Sequence, residues 1–159
     1  MIEKYGKFFR NLSNSKISCF QYDINQNYYT LIREKQNEGF AQCIITSNIM
    51  IEIMQYFILK GDTSIISIEF MVEHDEIEDE IKFILKRMKE NIIHWIDLKE
   101  KILFLSQNDC IEVKKIEFKN INGLGYIFSI QVNGIIIVPE EKFDRVSNMI
   151  AGIIESGIK

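Results

Sequence analysis

The chain has 159 residues, 23 acidic and 19 basic side chains, a net charge of −4 and a hydrophobic share of 47%. That length suits one domain with its own core, and the acidic balance disfavours a nucleic-acid binder, which needs surplus Lys and Arg against phosphate. One proline and eight glycines leave little material for disordered linkers, and no apolar run reaches the roughly 18 residues of a membrane span.

Residues 2–12 fit a short helix, with Tyr5, Phe8, Phe9 and Leu12 on one side and Ser13-Asn14-Ser15 ending it. Residues 17–24 alternate, which predicts a strand with Phe20, Tyr22 and Ile24 on one face. Asn25-Gln26-Asn27 marks a turn. Residues 28–38 fit a helix closed by Gly39 or a second hairpin strand, and the run Tyr28-Tyr29-Thr30-Leu31-Ile32 favours the strand. Residues 40–46 read as a strand. Ser47 or Asn48 then caps a helix through Leu59, with Ile49, Ile53, Met54 and Phe57 inward and Gly61 after its end.

Residues 64–72 read as a buried strand. One long helix is expected over residues 75–99, with Ile77, Ile81, Ile84, Leu85, Met88, Ile92 and Trp95 as its apolar stripe. Its acidic start and basic later turns suit the helix dipole. Residues 111–119 predict a strand with a possible bulge at Lys114-Lys115, and Asn122-Gly123 predicts a turn. Asn133-Gly134 joins strands 126–132 and 135–138, the signature of a two-residue type I′ hairpin. Pro139 and Glu140-Glu141 open a last helix with Phe143, Val146, Ile150, Ile153 and Ile154 inward, ending at Gly157. The order predicts an α+β fold. A mainly antiparallel sheet with C-terminal hairpins packs against a long amphipathic helix and shorter N- and C-terminal helices, in a single domain over residues 1–159.

No residue set forms a catalytic kit. Cys19, Cys43 and Cys110 have neither disulfide nor zinc spacing and read as small hydrophobes. His74 with Glu78, and Asp75 with Asp79, sit one helical turn apart, a spacing that can hold a metal. It equally describes a solvated helix start, so no metal or cofactor is assigned. His94 is one position off the apolar stripe, and a Cys43–His94 pair has no local signature behind it. Gly123-Leu124-Gly125 lacks the following helix that a phosphate loop needs and reads as a turn. Phe8, Phe9, Phe20, Tyr22, Tyr28 and Tyr29, with Lys4, Lys7, Arg10 and Lys16 nearby, read as core plus an exposed patch rather than a base-stacking platform.

The remaining feature is the carboxylate run Glu73, Asp75, Glu76, Glu78, Asp79 and Glu80. Such a row can oppose the Lys and Arg side chains with which a nuclease holds phosphate. The expectation is a non-catalytic protein-binding chain of the immunity or antitoxin type, docking a basic toxin through these six residues. Ile, Lys and Asn richness suggests an A/T-rich bacterial or phage genome. The start Met1-Ile2-Glu3-Lys4-Tyr5-Gly6-Lys7 lacks the apolar stretch of a signal peptide, so the expected compartment is the cytoplasm. The alternatives are an acidic dimeric secretion chaperone or adaptor, and a small-ligand protein or enzyme built on His74, His94 and nearby carboxylates.

Overall fold

The computed structural model describes residues 2–158. They form an α+β chain whose strand pairings are antiparallel. It divides into two compact units. One comprises Met1–Ile45 with Phe128–Lys159, the other Thr46–Ile127. No helix among the described residues is long and apolar enough to cross a membrane.

The first unit is built around strand β1 (Glu3–Asn11). Strand β2 (Ile17–Tyr22) lies along one edge of it, with Phe8 opposite Cys19. Two strands share the other edge. Glu3 to Lys7 pair with a C-terminal strand, Ile135–Pro139, and Phe9 to Asn11 pair with β3 (Phe40–Gln42). The handover falls at Phe8, whose N–H donates to the Gly134 carbonyl at 2.9 Å and whose carbonyl accepts from the Cys43 N–H at 3.2 Å.

Residues 2–12 are therefore a strand and not the expected helix. Their apolar spacing mimics a helix because β1 is covered on both faces, so period-two alternation is lost. On one face Gly6 makes room for Cys19 and the Phe143 ring. A Cβ there would lie 2.6 Å from the Cys19 sulfur and 2.7 Å from the ring. On the other face Lys7 and Phe9 are fully buried, and Phe9 meets Phe20 edge-on at 5.8 Å.

Residues 28–38 likewise form a helix, α1 (Tyr28–Asn37), and not a strand. The Asn27 side chain decides this locally, accepting from the Thr30 N–H at 3.1 Å and so capping the first turn. Leu31 and Ile32 turn inward, and the Lys35 ammonium lies 3.9 Å from the centre of the Phe20 ring.

The second unit opens with α2 (Ser47–Lys60), capped by Thr46 and closed by Gly61 at φ 79°. Strand β4 (Thr63–Phe70) pairs with β5 (Val113–Asn120). Their register slips at Ile66 and again at Lys114, the second where the lysine pair interrupts the alternation. The Phe57 and Phe118 rings, 5.2 Å apart, tie α2 to this pair.

The single long helix expected over 75–99 is two helices, α3 (Asp75–Glu90) and α4 (Trp95–Asn108), joined by a short 3₁₀ turn. The break is at Asn91. Its backbone is extended (φ −152°, ψ 120°), and its side chain accepts from the Ile93 N–H at 3.1 Å. An Asn can offer the backbone this alternative to continuing a helix. Ile92, expected in the stripe, is exposed, whereas Trp95, Leu98, Ile102 and Leu105 carry the buried face onward along α4.

Strand β6 (Tyr126–Gln131) begins in the second unit and pairs in the first with β7 (Ile135–Pro139). The connection between them has three residues, not two. Gln131 accepts from the Gly134 N–H at 2.9 Å, and Gly134 alone in the turn has positive φ. This is the type I turn with a glycine bulge rather than the expected type I′, which would need Asn133 at positive φ as well. A 3₁₀ turn after Pro139 leads into α5 (Phe143–Gly157), whose Phe143, Val146, Ile150 and Ile154 are buried.

Candidate functional site

All six carboxylates singled out from the sequence are exposed. Glu73 precedes α3 and the other five lie on its first two turns. His74 occupies the cap position but caps only with its backbone, its carbonyl accepting from the Glu78 N–H at 3.0 Å. An acidic first turn stabilises this helix through its dipole. Glu80 is committed to an ion pair with Lys101 of α4 at 2.8 Å. Among the described residues the other five carboxylates have no cationic partner within ion-pair distance.

Two of the six also line a groove of about 810 Å³ beside β4. One wall is β4 and its exit, from Ile66 to Met71. The other is α3, through Glu78, Ile81, Lys82 and Leu85, with Glu73 at one end and Lys114 and Glu117 supplied by β5. Four carboxylates (Glu69, Glu73, Glu78, Glu117) thus face two ammonium groups (Lys82, Lys114). The Ser67 hydroxyl donates to Glu117 at 3.0 Å, fixing one acid in place. Asp75, Glu76, Asp79 and Glu80 lie outside the groove lining, on the same stretch of α3.

No family model, curated protein or solved structure matches this chain. The site must be read from its own chemistry.

His94 pairs with Asp97, Nδ1 to Oδ2 at 3.1 Å, within the second unit. Cys43 lies in the first unit, where burial pushes its thiol up while Lys7 and Arg10 pull it down. Burial pushes the Cys19 thiol up to about 12, so it stays protonated at neutral pH. Among the described residues no three His, Cys, Asp or Glu side chains gather as a metal-holding group. Phe8 and Phe9 are buried and Phe20 packs edge-on against both Phe9 and Phe40, so these aromatics serve packing in the first unit.

Two polar arrangements had no sequence signal. The first is Lys7, fully buried on a central strand, its ammonium donating to the Asn133 carbonyl. It lies 5.4 Å from the Tyr28 ring centre and 5.7 Å from that of Phe9. Loss of water lowers its pKa to about 8.

The second is Glu112, just before β5. Its carboxylate accepts from the Ser47 hydroxyl and, at 2.6 Å, from that of Ser106, while the Val113 N–H donates to the Ser47 oxygen at 3.1 Å. This network joins the start of α2, the end of α4 and the entry to β5. Glu112→Ala is expected to cost about 2 kcal/mol, because two hydroxyls lose a charged acceptor together. Glu112→Gln should recover part of the loss. Urea unfolding of the three proteins measures it, and equal midpoints would show that the network adds nothing.

Proposed function

We propose that this chain is a non-catalytic protein-binding protein of the bacterial cytoplasm, of the immunity or antitoxin type, which neutralises a basic partner by covering its cationic surface. The observation that carries this reading is the exposed row Glu73, Asp75, Glu76, Glu78 and Asp79, left without cationic partners among the described residues, of which Glu73 and Glu78 line the β4–α3 groove. Unpaired surface carboxylates fixed on a helix keep their field available to an incoming cation. Complementary fields speed encounter and select partners more than they deepen affinity. Covering the Lys and Arg side chains of a nuclease would block its hold on phosphate with no chemistry performed by this chain.

The test is capture of partners on the immobilised chain from the source cell's lysate, at low and at high salt, read by mass spectrometry. One stoichiometric basic protein, weakened as salt rises, is the expected result. No protein at either salt would overturn the reading. With that partner in hand, Glu73→Ser, Glu76→Ser and Asp79→Ser together should slow association by about tenfold at low salt and flatten its salt dependence. Glu80 is left intact because of its bond to Lys101. Stopped-flow association rates decide the matter, and an unchanged rate at low salt would place the interface elsewhere.

A further inference from the structure

Strand β4 has a partner along one edge only. Among the described residues it pairs with β5 and with no other strand, and it stands at the end of the strand order. A free strand edge presents alternating N–H and C=O groups that can template another strand. The usual protections are thin here. From Thr63 to Phe70 the strand carries a single charge, Glu69, and no proline. The bulge within β4 falls at Ile66, the first residue of the groove lining. The ladder's second register shift places its extra residue, Lys114, on β5, so β4 and its exit run without a bulge from Ser67 to Met71. After β4, Met71 and Val72 are 56% and 53% exposed.

We propose that the β4–α3 groove receives an extended, Lys- or Arg-bearing segment of the partner protein, added as a strand along the edge from Ser67 to Met71. This rests on the protein-docking reading above and names the form its ligand takes. The bulge sets one end of the pairing stretch and Glu73 the other. Five residues of strand span roughly 16 Å, enough for main-chain hydrogen bonds to supply affinity while side chains at alternate positions supply selection. The groove selects for cations, since Glu69, Glu73, Glu78 and Glu117 outnumber Lys82 and Lys114 along its lining. The same excess opposes a second copy of this chain, which would bring its own carboxylates against these.

The probe is a capped peptide of about eight residues in which Lys and Val alternate, long enough to cover the edge. It is compared with two twins, one N-methylated at every Val and one at every Lys. All three carry the same charge. In a strand, successive N–H groups point to opposite edges, so only one set can face β4. The expected result has three parts. The parent peptide shifts the backbone amide signals of residues 67–71 and slows their exchange. One twin binds like the parent. The other binds at least about tenfold more weakly, having lost its inter-strand donors. Equal behaviour of the twins, whether both bind or both fail, overturns strand addition. So does a parent that does not bind, or that perturbs only the outer face of α3. None of these outcomes decides the lysate capture, so strand addition can fail while the acidic dock stands.

Discussion

Gly134→Ala is expected to destabilise the chain by about 3 kcal/mol or more, because strain and collision combine at one atom. Gly134 has φ 81°, a conformation that costs any residue with a Cβ. Space is the larger obstacle. The new Cβ would lie 2.6 Å from the Cys43 carbonyl oxygen and 3.5 Å from that of Phe8. Both carbonyls belong to the junction where β1 passes from β7 to β3, and backbone cannot rotate aside as a side chain can. Gly123→Ala separates the two effects. It has φ 62° with nothing within 4 Å of the added carbon, so it should cost only about 1 kcal/mol. Urea melts of both variants against the parent give the comparison, and equal losses would mean that the collision is relieved by movement.

Lys7→Met is expected to raise stability by about 2 kcal/mol at pH 7. The sign follows from the burial of Lys7. Its folded pKa of about 8 lies below the ordinary 10.5. Between those values the unfolded chain holds the proton and the folded one releases it, so the lysine's penalty fades as pH rises through this window. Below pH 8 both states are charged and the penalty is complete. The advantage of the methionine variant should therefore be full at pH 7 and shrink steadily from pH 8 toward 10.5. The raised Cys19 and Cys43 thiols titrate in the opposite sense toward the alkaline end. Cys19 cancels in the difference, whereas the Cys43 thiol, no longer pulled down by Lys7, rises further in the variant and makes its advantage shrink faster. Unfolding free energies at pH 7, 8.5 and 10 test this. A variant less stable than the parent at pH 7 would mean that the bond to the Asn133 carbonyl outweighs the desolvation of the amine.

The second half of the chain was more legible than the first, for reasons that particular residues explain. Residues 135–157 read correctly because punctuation and periodicity agree there. Asn133-Gly134 marks the turn, Pro139 the transition, and α5 keeps an unbroken apolar stripe. Only the turn type differed, and that rests on the φ of Asn133, which its identity does not determine. Lys7 hid β1, because a charged side chain at a buried position breaks any two-period pattern and leaves Tyr5, Phe8, Phe9 and Leu12 to imitate a helix. For residues 28–38 the apolar pattern was neutral, and the cap bond from Asn27 settled it. The buried stripe was legible from Ile81 to Met88 and again at Trp95, but the Asn91 break, the exposure of Ile92 and the continuation through Leu98, Ile102 and Leu105 to the end of α4 were not. The candidate site divides along the same line. The carboxylate run lies in consecutive residues and was visible. The groove depends on the β4–β5 register, which brings Glu69, Lys114 and Glu117 beside α3, and no local pattern encodes that.

The first unit is interrupted in sequence, since residues 46–127 come between its two parts. This has a consequence for biosynthesis. As the nascent chain emerges, β1 has β2 and β3 beside it within the first 42 residues, but its remaining edge stays bare until residues 135–139 arrive. Phe143, which closes over Gly6, comes later still. The inserted unit can condense from contiguous residues in the meantime. For that interval the ribosome presents a half-finished sheet with one edge of β1 unpaired and Gly6 not yet covered by Phe143, a surface that holdase chaperones recognise. Slow codons placed after residue 127 would lengthen that exposure, whereas slow codons before residue 46 would not.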